Sequence, residues 1–182
     1  MQARREGWLS GLAGVVIFSA SLPATRVAVA DLSPLFLTSA RAVLAAGLAA
    51  ALLLLLRQTW PRRAELLPLA IVALGGVVGF PLLTAMALQH ITAAHSIVFI
   101  GLLPLATAAF GLVRGGERPK PLFWLFSCLG SAAVVAFALG RGAEVSLAGA
   151  LPMLAAILVC GLGYAEGARL SGHLGGWQVI SW

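Results

Sequence analysis

The sequence predicts an all-α fold, a polytopic bundle of transmembrane helices. Three observations carry this. The 182 residues are 60% hydrophobic and 10% charged, whereas soluble domains hold about 25% charged residues. Mean hydropathy is +1.00. The apolar residues fall into six continuous runs, each close to the roughly 20 residues that a helix needs to cross a bilayer. A transmembrane barrel would show alternating segments of about 10 residues instead. Open strands in lipid would leave backbone groups unpaired.

The runs cover 8–30, 34–56, 67–88, 92–113, 121–140 and 146–167, and a seventh begins near Trp177 and reaches Trp182. The first follows Arg4 and Arg5 and passes "AVA" at 28–30, in the manner of a secretory signal with a cleavage site. It is long for such a signal, and Arg26 stands just before the supposed cut. The first run is therefore read as a retained helix. The second carries Ala42, Ala46 and Ala50 four apart, the third Gly75 and Gly79, and the sixth Gly163 and Gly167. Such faces let helices approach closely. Pro23, Pro81, Pro104 and Pro152 interrupt the first, third, fourth and sixth runs. They read equally as plain kinks or as breaks that line a cavity. The segments between runs ("DLSP", "RQTWPRRAE", "QHITAAH", "RGGERPKP", "RGAEVS" and "SGHLGG") are short and rich in Pro, Gly and charge.

The net charge of +6 does not point to nucleic acid, because the basic residues cluster in these short segments. With the N-terminus in the cytoplasm, Arg4, Arg5, Arg57, Arg62, Arg63, Arg114, Arg118, Lys120 and Arg169 all lie inside. Arg141 alone lies in an outside loop, and Arg26 and Arg41 lie within helices. This is the bias of a multi-pass inner-membrane protein. Cys128 and Cys160 each sit in an apolar run and read as small packing residues, with no metal or disulfide pattern around them. No cofactor motif and no constellation for catalysis appears, so an enzyme is not expected.

Charged residues inside the runs are the candidate sites. An arginine at a helix centre costs about 2.5–3.5 kcal/mol on insertion scales. Arg41 lies roughly 10 Å below Pro34 at the helical rise, so it is not central. It either snorkels to the outer interface, pairs with Asp31, or faces a cavity. Arg26 is nearer the surface, and snorkelling fits it better. His95, just past Gln89 and His90, is an interfacial histidine or a proton-linked group. Glu166 handles protons or a cationic solute, or pairs with Arg169 three residues on. Glu117, Arg118 and Lys120 read as a solvated loop.

Two stretches share a hydropathy pattern: the one from Ser10 to Arg41 and the one from Ala148 to Trp182. Each has a helix opened by glycine, a short polar break and the start of another helix. Five helices separate their starts, so the second copy enters the membrane from the opposite side. Inverted repeats of this kind are the architecture of many secondary transporters.

"PATRVAVADLSPLFLTSARAVLAA" resembles the opening of the EamA family, in the drug/metabolite transporter superfamily. Its features are Pro23 closing helix one, Pro34 after the loop, and Arg41 seven residues on. "ITAAHSIVFIGLLPLATAAFGLVRGGERPKPLFWLFSCLGSAAVVAFAL" is similar to that family's fourth and fifth helices, with Pro104 in mid-helix and Gly116–Glu117 in the connecting loop. "GYAEGARLSGHLGGWQVISW" resembles the start of its second repeat. The resemblance implies ten helices in two five-helix repeats that carry small solutes across the inner membrane, often outward. It divides this chain into a first repeat over 8–140 and an incomplete second repeat over 146–182. The expected partners are the lipid bilayer and a small-molecule solute. The pathway candidates are Arg26, Arg41, His95, Glu166 and Pro104; Arg26, Arg41 and His95 put positive character at one end of the bundle, so the solute is expected to be anionic or zwitterionic, such as an amino acid or organic acid. On this reading the chain is a transporter fragment. The alternative is a truncated membrane protein that does not transport, or a half-bundle that needs a partner, including a homodimer.

Overall fold

The computed structural model describes residues 2–116, 119–140 and 146–182. Among them every regular segment is helical. Five helices are long and apolar enough to cross a membrane: Gly11–Asp31, Pro34–Leu55, Arg63–Leu88, Ala93–Arg114 and Leu147–Leu174, with a shorter apolar helix at Pro121–Ala136. Together they are called the first to sixth spans in chain order, Pro121–Ala136 being part of the fifth, which runs over Pro121–Gly140. A short terminal helix, Gly176–Ser181, follows.

The breaks between spans have local causes. Pro34 opens the second span, where Ser33 accepts the Phe36 N–H at 3.3 Å. A proline at that position gives up an N–H that has no helical partner anyway. Thr92 opens the fourth span by accepting the His95 N–H at 3.2 Å, a standard N-cap. The third span starts at Arg63, four residues before the apolar run does, because the Glu65 carboxylate accepts the Arg62 N–H at 2.6 Å. The sixth span also exceeds its apolar run. It continues through "RLSGHL" to Leu174 and stops only at Gly175, whose φ of 92° suits glycine.

Several spans are not continuous α-helix. The first is broken at Ala20, between Gln2–Ser19 and Ser21–Asp31. In the third, Ala73–Gly79 is wound as π-helix, and Phe80 closes it by donating its N–H to the Gly75 carbonyl. The segment ends against Pro81, which has no N–H to continue an α-helical ladder. In the fourth, α-helix stops at Ile100 and restarts at Leu103, with Pro104 in the new first turn. Ser131 of the fifth span donates its hydroxyl to the Gly101 carbonyl at this break, at 3.2 Å.

The sixth span is the centre of the bundle. Of its apolar window 44% is buried, against 11% to 17% for the other four long spans. It packs on the third and fourth spans along most of their length. Glycine makes this approach feasible. A Cβ on Gly75 would stand 2.5 Å from the Val159 carbonyl oxygen and 2.9 Å from the Gly163 Cα, so the two backbones touch there. A Cβ on Gly161 would stand 3.0 Å from the Ala106 Cβ of the fourth span. Ala87, Ile91 and Met153 form one core cluster at one end of this helix pair. Leu69, Leu170 and Val179 form another at the opposite end, where Trp182 joins them. Trp60, from the loop before the third span, lies against Trp182 with ring centroids 5.1 Å apart.

The cysteines divide. Cys160 is fully buried and fits the expectation of a packing residue, while Cys128 is exposed on the fifth span. A thiol facing lipid needs no partner, so apolar sequence alone did not separate the two. Glu117, Arg118 and Arg141, read above as loop residues, lie outside the described residues.

Candidate functional site

The second-span arginine lies at a cavity. A void of about 100 Å³ is enclosed by the first, second, third and sixth spans. The first span contributes Ser21 and Thr25, the second Arg41, the third Phe80, Pro81 and Thr84, and the sixth Cys160 and Tyr164. Arg41 is exposed, whereas Thr25, Thr84 and Cys160 are buried. The void therefore leads from the surface at Arg41 into the interior. Among the described residues Arg41 makes no ion pair with Asp31, and the ion pairs found are both on Glu166.

Pattern and winding place these groups together. Thr25 and Thr84 sit one helix apart at the same depth, because Val29 of the first span packs on Ala85 and Leu88 of the third. The π-wound turn at Ala73–Gly79 shifts the register of everything after it, so Phe80, Pro81 and Thr84 come round to the cavity. A π segment inserts extra chain per turn and often marks a functional position. Thr84 is the chemically distinctive member. It is 3% exposed, and its Oγ1 has no hydrogen-bond partner. A buried hydroxyl left unpaired costs about 1–3 kcal/mol. Among the described residues the other orphaned buried side-chain atom, Gln178 Oε1, is on the terminal helix and does not line this cavity.

Glu166 occupies a separate station. It is fully buried, and its two carboxylate oxygens each take a guanidinium. Arg169 donates to Oε1 at 2.5 Å, and Arg114 donates to Oε2 at 3.2 Å. Arg169 was expected from its spacing. Arg114 is 52 residues away in sequence, and nothing local signals it. It comes from the end of the fourth span, where Gly111–Gly115 is again π-wound. The carboxylate is thus satisfied within the chain and ties the fourth span to the sixth.

The remaining candidates are dispersed. Pro104 lines an open groove of about 840 Å³ with Thr107, Phe123 and Tyr164. Arg26 is half-buried beside Thr25 and does not line the small cavity. His95 lies in the first turn of its helix, held by the Thr92 cap, with Nδ1 3.1 Å from the Thr92 hydroxyl. A third void of about 590 Å³, largely apolar, lies between the second, third and sixth spans and the terminal helix. Tyr164 borders all three spaces. Sequence reading passed over Tyr164, although it is the one tyrosine in the chain.

Comparison with known proteins follows the same lines. The profile of the EamA-like transporter family matches residues 5–139. The chain is 62% identical, over 182 residues, to "Uncharacterized transporter YdeK" of Bacillus subtilis (strain 168). That alignment takes in 100% of this chain and 63% of the relative, so the chain spans under two thirds of that protein's length. No solved structure matches. A multi-pass helical chain with this family profile over most of its length belongs to the EamA-like transporter family.

Proposed function

We propose that the chain is the larger part of a secondary transporter that exports small anionic or zwitterionic metabolites, such as amino acids or organic acids, across the inner membrane. The observation that carries this is Arg41 at the wall of a cavity enclosed by four spans. A guanidinium in a membrane bundle is costly unless it faces a cavity or a partner, and Arg41 has a cavity. Helices interrupted by proline and π-turns beside that cavity fit a binding site built on discontinuous helices. The N-terminus is cytoplasmic, so Arg114 and Arg169 mark the inner end, and Glu166 holds that end together.

On this reading the sixth span opens a second, inverted repeat, and the rest of that repeat completes the pathway against the apolar faces left open here. The part of the YdeK relative outside the 63% that the alignment covers has room for it.

The test is Arg41→Ala in the full gene product, reconstituted in vesicles and offered a panel of cell metabolites. Flux of the transported solute should fall about ten- to a hundredfold, the range for a lost charge-assisted hydrogen bond. Expression should stay level. Unchanged flux would mean that Arg41 merely reaches for the interface.

A further inference from the structure

The orphaned hydroxyl narrows the solute. We infer that the cavity takes a small monocarboxylate carrying a hydroxyl or keto oxygen, with Arg41 on the carboxylate and Thr84 on the second oxygen. This rests on the transport reading above.

Two features converge. First, Arg41 is the only charged side chain among the described residues that line the cavity. Its other polar lining groups are the hydroxyls of Ser21, Thr25, Thr84 and Tyr164 and the thiol of Cys160. An anion finds a planar donor there. An α-ammonium would enter beside a guanidinium, and no carboxylate is among these lining residues to pair with it, so like charge disfavours it. Second, Thr84 Oγ1 is buried, unpartnered and on the cavity wall. Buried hydroxyls are otherwise almost always paired. A hydroxyl kept free at a cavity can donate to or accept from a solute, and a hydroxy or keto oxygen pairs with it without bringing a second charge into the site. The void of about 100 Å³ has room on the order of a few water molecules, so the solute has few carbon atoms.

L-lactate and L-alanine share a carbon skeleton and differ in a hydroxyl against an ammonium, which makes them the probes. Vesicles carrying the full gene product would be loaded with either radiolabelled compound. L-lactate should cross at least about tenfold faster than L-alanine. Thr84→Val keeps the shape and removes the hydroxyl. It should slow L-lactate about five- to tenfold while leaving thermal stability equal or higher, because an orphaned polar group has gone. Thr84→Ser should restore L-lactate flux. That pattern separates a lost solute contact from a damaged fold.

L-alanine crossing as fast as L-lactate overturns the inference, and so does L-lactate flux untouched by Thr84→Val. A third overturning result is that neither probe moves. The wider transport reading is judged separately, by the Arg41→Ala panel.

Discussion

Among single residues, Glu166 has the most unequal surroundings. Its side chain is 0% exposed, while those of Arg114 and Arg169 are 41% and 46% exposed. The partners therefore differ in what their loss leaves behind. Removing Glu166 frees two guanidiniums that already reach solvent. Removing both arginines strands a buried carboxylate, an uncompensated charge of the kind that costs about 3–5 kcal/mol. Arg114→Ala with Arg169→Ala should thus destabilise the protein more than Glu166→Gln does. Denaturant titration of the two variants in micelles, followed by circular dichroism, would rank them. The reverse order would mean that the arginines are anchored by something other than this carboxylate. Only half of this cluster was legible beforehand. Arg169 is three residues from Glu166 and so on the same helical face. Arg114 meets Glu166 only after the fourth and sixth spans have packed. Thr84 was equally hidden, because a threonine in an apolar run reads as an ordinary helical residue whose hydroxyl bonds its own backbone.

Elements were easier to read than their interruptions. The six apolar runs became five helices long and apolar enough to cross a membrane and one shorter apolar helix, because membrane crossing demands continuous apolar chain and internally paired backbone. Prolines read equally as kinks or as breaks: Pro81 and Pro104 stand at interruptions, whereas Pro152 lies inside the unbroken helix Leu147–Leu174. The π-turns at Ala73–Gly79 and Gly111–Gly115, both packed on the sixth span, carried no signal in the sequence. The small-residue spacing was visible too, yet it did not say which glycine touches what. Gly75 and Gly163 touch each other's backbones, whereas a Cβ on Gly47 would meet nothing within 4 Å. The two kinds of glycine should respond oppositely. Gly75→Ala should destabilise by about 1–3 kcal/mol, as overpacking does. Gly47→Ala should be neutral or add up to about 1 kcal/mol through helix propensity. Melting of the detergent-solubilised variants, read by size-exclusion peak height, would show whether the two shifts have opposite sign.

For the molecule as a whole, the proposed orientation, with the N-terminus in the cytoplasm, rests on the scatter of Lys and Arg over the short loops. A phosphatase reporter, active only outside the cytoplasm, should be silent when fused within 57–62 and active when fused within 31–33. Activity at both sites, or the reverse pattern, would overturn the assigned topology. Family membership was legible because it rests on ordered landmarks, Pro23, Pro34, Arg41 and Pro104, and not on any one motif. The placement of the sixth span at the centre was not legible. Its apolar run looks like the others, and only glycine-to-backbone contact with two earlier spans sets it apart. That central helix carries Tyr164, which borders the small cavity, the open groove and the apolar void alike. One residue is then common ground to three spaces, so a change of its size is felt in all of them at once: Tyr164→Ala should enlarge each, and Tyr164→Phe should leave their volumes as they are.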